Sequence, residues 1–175
     1  MTLKKTFVAL VALHLAVLIA CNKEKSFESK QQIEVPDDGN DVNADFGWAF
    51  TGNSTGLSGC IDTAYTETNQ GAAILTIEGT DSLDNAFLIA VGSHTGNLAT
   101  GTFTETTGAG MIVTDKDGNS YVSKTFSIKI TNISNNEVSA EFSGGFSDDP
   151  AANNTVYTIT GGKLKAVLGG DTPCL

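Results

Sequence analysis

Ser93, His94 and Thr95 fall together in "VGSHTGN", and a hydroxyl beside an imidazole is the pair from which nucleophilic catalysis is built. That chemistry needs a base within hydrogen-bond reach of the nucleophile and a third group to orient the base. Neighbouring residues on a strand point to opposite faces, so Ser93 and His94 are poorly placed for it. His94 is also the only histidine after residue 20. Twenty acids offer pairs such as Glu105 with Glu141 for glycosidase work, which needs two carboxylates about 5–9 Å apart. Acids that sit in turns and on the outward alternation read instead as a solvated face.

Alternate oxygen ligands open a calcium loop. Asp115, Asp117 and Asn119 in "DKDGNS" have that spacing, as do Asp41, Asn43 and Asp45 in "DVNAD". Neither run completes the loop, because its glycine and closing glutamate positions hold Ser120 and Phe126 in one case and Phe46 and Gly52 in the other. "DKDG" reads as a hairpin turn, with structural calcium as the lesser expectation and no other cofactor. No histidine and cysteine cluster suits zinc. Tyr65 and Tyr121 are candidate platforms for stacking on sugar rings, whereas Trp48 alternates with Phe46 and Phe50 as a core residue does.

The N-terminus answers a different question. Lys4 and Lys5 precede an apolar run from Phe7 to Ala20, which stops at Cys21 in "VLIACNKEK". A positive start, an apolar stretch of about 7–15 residues and small residues at its end define a secretory signal, while a spanning helix needs about 20 apolar residues. Leu18, Ile19, Ala20 and Cys21 resemble the lipobox of bacterial lipoproteins. The resemblance implies cleavage before Cys21 and acylation of its sulfur, giving a permanent membrane anchor. Loss of residues 1–20, which carry two lysines and no acid, leaves 155 residues and takes the formal net charge from −10 to −12. The chain has no arginine. Such a surface excludes nucleic acid and anionic lipid as electrostatic partners.

With Cys21 acylated, Cys60 and Cys174 remain, an even pair that an exported protein is expected to join in a disulfide. Residues 21–44 are polar and charged with no sustained period, and read as a flexible tether. Residues 45–175 form one domain by size.

Within that domain the apolar residues recur at every second position: Phe46, Trp48, Phe50; Phe126, Ile128, Ile130; Val138, Ala140, Phe142. Further strands are expected at 57–66, 71–79, 85–92, 99–105, 109–115, 119–124, 155–160 and 163–168. Turn signals separate them, including "GTDSLDN", "TTGAG", "ISNNE" and "DDPAANN", and Gly161-Gly162 reads as a two-residue hairpin turn. No window has a helical stripe, so the class is all-β. About nine or ten short antiparallel strands are expected, packed as a β-sandwich or, alternatively, a barrel-like fold. The expected core includes Trp48, Phe50, Leu75, Ile77, Phe87, Ile89, Phe103, Phe126, Ile128, Ile130, Phe142, Ile159 and Leu164.

The lipobox, the tether and the runs "GTFTETTGAGMIVTDKDGNSYVS", "FSIKITNI", "VSAEFSGGF" and "VYTITGGKLKAVL" resemble the small β-sandwich lipoproteins of Bacteroidota, many of unknown function. The resemblance implies an outer-membrane lipoprotein, on either face of that membrane, and supplies no active site. Asn22 after the cysteine leaves out the aspartate associated with inner-membrane retention. Asp62-Thr63-Ala64 and Asp81-Ser82-Leu83 resemble the O-glycosylation acceptors of exported proteins in the same group, which implies Thr63 and Ser82 as modified residues. The resulting expectation is a non-enzymatic binding or accessory module for an envelope protein or glycan. The alternatives are a carboxylate-based polysaccharide hydrolase and a structural envelope subunit that pairs through its sheet edges.

Overall fold

A computed structural model describes residues 46–93, 96–151 and 154–169, all of which fall in one compact unit, Val42–Leu175. The signal segment, Cys21 and the tether lie outside the described residues, as do Asp41, Asn43, Asp45, His94, Thr95 and Cys174. The described residues form nine strands: β1 Gly47–Gly52, β2 Thr55–Asn69, β3 Ala72–Thr80, β4 Ala86–Ser93, β5 Gly101–Thr104, β6 Ala109–Thr114, β7 Ser120–Ser134, β8 Glu137–Ser147 and β9 Tyr157–Val167. Among the described residues there is no helix.

All pairings are antiparallel. Neighbours in sequence pair from β1 to β4 and from β6 to β9, β4 skips β5 to pair with β6, β5 pairs with β7, and β1 pairs with β9. The all-β antiparallel class is as expected, and of the two architectures it is the barrel that forms. A single sheet closes on itself in eight staves instead of splitting into two facing layers. The fifth stave is broken: β5 and β6 lie end to end on one edge of β7, pairing at Phe103↔Ile128 and Val113↔Tyr121. The turn between them is tied by Thr107 N–H to the Thr104 carbonyl at 2.9 Å.

Three of the connections are two-residue turns with both central residues at positive φ: Asn53 and Ser54, Gln70 and Gly71, Asn135 and Asn136. That sign matches the right-handed twist of the strands it joins. Gly161-Gly162 is not such a turn, which corrects the expectation from sequence. It lies inside β9 at a bulge, where Phe142↔Gly162 is followed by Gly144↔Ile159. A Cβ on Gly162 would fall 2.5 Å from the Phe142 ring, so glycine is needed there for close approach.

The interior is filled with side chains. Every expected core residue is buried except Phe103, which is half-buried on the short β5. Trp48 stacks on Phe50 at 5.0 Å and meets Phe87 edge-on at 5.2 Å. Phe87 on β4 reaches Phe142 on β8 at 6.5 Å, so rings from separated staves touch across the lumen. The contacts continue through Phe126, Phe146 and Tyr157 to Tyr121. An eight-stranded barrel is just wide enough for side chains to fill it, and here they do.

Candidate functional site

Because the lumen is packed, ligands must meet this protein on its outer walls or at its turns. Asp115 is committed to its own turn. Its Oδ1 accepts from the backbone N–H groups of Asp117 and Asn119 at 3.0 and 2.9 Å, and its Oδ2 accepts from the Tyr121 hydroxyl at 3.2 Å. The Asn119 amide adds two further bonds to the same carboxylate. These bonds hold the Asp115 carboxyl below the usual aspartate range. Asp117 pairs with Lys116 at 2.8 Å. The run "DKDGNS" is thus a self-capped hairpin turn, as read from sequence, with the Asp115 carboxylate taken up by turn donors and Asp117 by Lys116. Among the described residues no group of three or more His, Cys, Asp or Glu side chains could hold a metal ion.

Tyr121 is not a free platform. It is half-buried, stacked on Tyr157 at 5.0 Å, with its hydroxyl engaged. Tyr65 is half-exposed on the outside of β2, paired with Thr76. Thr63 also lies on β2, half-exposed beside a bulge at Asp62, whereas Ser82 is exposed in the β3–β4 turn. That turn is capped by Asp81, which accepts from the N–H groups of Leu83 and Asn85. Cys60 is disulfide-bonded. Glu105 and Glu141 are not brought together: Glu105 follows β5, and β7 separates β5 from β8. Two strand spacings and three residues of rise put their Cα atoms on the order of 14 Å apart.

Two arrangements were not visible in the sequence. The first is a carboxylate pair. Glu78 of β3 sits opposite Thr63, next to the bulged Asp62, and Asp62 accepts from the Thr80 hydroxyl at 3.2 Å. Partial burial pushes the Glu78 carboxyl up, and the Asp62 charge pushes it further; partial burial also raises Asp62.

The second is the outer wall of β7, β8 and β9. Register lines up Thr102, Lys129, Glu141 and Lys163 in one row and Thr104, Ser127 and Ser143 in the next. Ser127, Ser143 and the side-chain-free Gly161 and Gly162 leave a depression of about 360 Å³ beside the row that carries the lysines. A second depression of about 210 Å³ adjoins it, shares Glu141 and Lys163, and reaches Thr131, Ser139 and Lys165. Lys165 pairs with Glu137 at 3.4 Å and lies 4.5 Å above the Phe46 ring. Lys129 and Lys163 flank Glu141 without closing an ion pair.

The wall stands out against the charge of the rest of the domain. Residues 46–169 hold five lysines and twelve acids, and three of the lysines are on this wall with only two of the acids. Six aspartates instead occupy the turns after β3, β6 and β8, at one end of the barrel. Fold and surface together define a small, packed, eight-stave antiparallel barrel with a lysine-bearing outer groove. Compared with known protein families, with characterised proteins and with solved structures, the chain matches none.

Proposed function

We propose that this chain is an outer-membrane lipoprotein, anchored through acylated Cys21, whose barrel is a non-enzymatic binding or accessory module for an envelope glycan or protein. The observation that carries the binding part is the contrast between a packed lumen and two adjoining depressions on one outer wall. A module of this kind engages its ligand on the outside of the sheet, where register alone sets the spacing of the contacting side chains. Closure of the ring weighs against the structural-subunit reading. It leaves β5 as the strand at the end of the sheet order, and that strand is only four residues long.

Two experiments test the two parts. Cys21→Ser should release the protein from the membrane fraction, and unchanged membrane partition of that variant would sink the anchor. Cross-linking of the native protein in its own envelope, followed by mass spectrometry, should place cross-links or bound glycan on β7–β9. Cross-links confined to the opposite wall would overturn the assignment of the binding face.

A further inference from the structure

We propose that the β7–β9 wall binds an anionic saccharide, with Lys129 and Lys163 selecting for its charge; this rests on the reading of the barrel as a surface-binding module. Two independent observations meet at this place. The first is shape: the two depressions share Glu141 and Lys163, so they form a track that crosses three strands instead of two isolated dents. The second is charge: in a domain where acids outnumber lysines by twelve to five, this track carries three lysines. Among the described residues, Lys129 and Lys163 form no ion pair.

The chemistry of the lining narrows the class. Lys129 and Lys163 lie two strands apart, about 9–10 Å at ordinary strand spacing, a separation that a disaccharide spans. Between and beside them, Glu141 accepts from sugar hydroxyls, and Thr102, Ser127 and Ser143 both donate and accept. The lining presents no large exposed apolar or aromatic anchor, the feature that dominates protein interfaces. A flat anionic membrane is a poor match, since the acidic turns at one end of the barrel would face the same charge. A lysine ammonium is a point charge that engages a carboxylate or a sulfate alike. The ligand class is therefore a uronate-bearing or sulfated glycan.

The test is calorimetric titration of the full chain with three tetrasaccharides: an oligogalacturonate, a sulfated galactan fragment without uronate and neutral cellotetraose. An anionic sugar should bind and lose affinity as salt is raised, and the neutral one should not. Lys129→Ala combined with Lys163→Ala should weaken that binding roughly tenfold with no change in thermal unfolding, while Lys116→Ala, at the far end of the barrel, should leave it unchanged. Binding of the sulfated sugar alone or of the uronate alone supports the proposal and names the anion. Equal binding of the neutral sugar, or wild-type affinity in the double variant, overturns the proposal and leaves the surface-binding reading intact. If none of the three binds, the proposal falls, and the cross-linking experiment decides the surface-binding reading separately.

Discussion

Glu78 and Asp115 show how the same kind of side chain acquires opposite pH behaviour from its surroundings. Asp115 is held below the usual range by the donors of its turn, so its contribution to stability is present above the unfolded value and is lost as pH falls through the folded one. Glu78 is shifted the other way, by burial first and by Asp62 second. Its folded state holds a proton more tightly than its unfolded state. Stability therefore falls as pH rises between the two values, and the cost persists at neutral pH. Glu78→Gln should raise stability at pH 7 by about a few tenths of a kcal/mol given its exposure, read as a higher urea midpoint. The difference should shrink as pH falls through the unfolded value and vanish below about pH 3, where glutamate is protonated in both states. An equal effect at every pH would show that packing, not charge, is responsible. Asp62 and Glu78 were legible as acids in strands but not as a pair, because their meeting depends on the Gln70-Gly71 turn and on a bulge after Ile61. Lys129, Glu141 and Lys163 likewise come from three separate stretches of sequence and meet only through register.

At the scale of the elements, period-two alternation located the strands correctly, since inward positions such as Phe126, Ile128 and Ile130 must be apolar wherever the sheet turns next. What alternation does not record is continuity. Stretches 119–124 and 126–130 are one strand, β7, whose bulge between Ser123 and Thr125 breaks the pattern without ending the pairing. Gly161-Gly162 interrupts β9 for the same reason, and a glycine pair in a strand looks like a turn until its neighbour Phe142 is in place. The disulfide at Cys60 acts on β2, next to the point where that strand leaves β1 and joins β3. Cys60→Ser, or reduction, should lower stability by roughly 2–4 kcal/mol, read as a lower thermal midpoint. Peptide mapping without reductant should find Cys60 joined to Cys174. An unchanged midpoint on reduction would mean that the crosslink constrains little of the unfolded chain.

For the whole molecule, the ring contacts from Trp48 to Tyr121 make one core, and one core implies one transition. Trp48 is 2% exposed and its indole N–H donates to the Cys60 carbonyl at 2.8 Å, so its fluorescence reports on the interior directly. Denaturant curves followed by Trp48 emission and by far-ultraviolet circular dichroism should coincide. Separate midpoints would divide the barrel into independently melting parts. Whether sandwich or barrel forms was not legible from sequence, because it turns on β1 pairing with β9, where Gly47 meets Lys165 more than a hundred residues away. That seam also sets a timetable for biogenesis. During synthesis the first strand emerges long before its second neighbour exists, so most of the ring waits as an open, sticky ribbon until the last stave is delivered. Premature release of the chain before residue 157 would yield not a smaller barrel but an aggregation-prone sheet with two raw edges. Cells that make this protein must keep the emerging chain apart from its own copies until the seam closes.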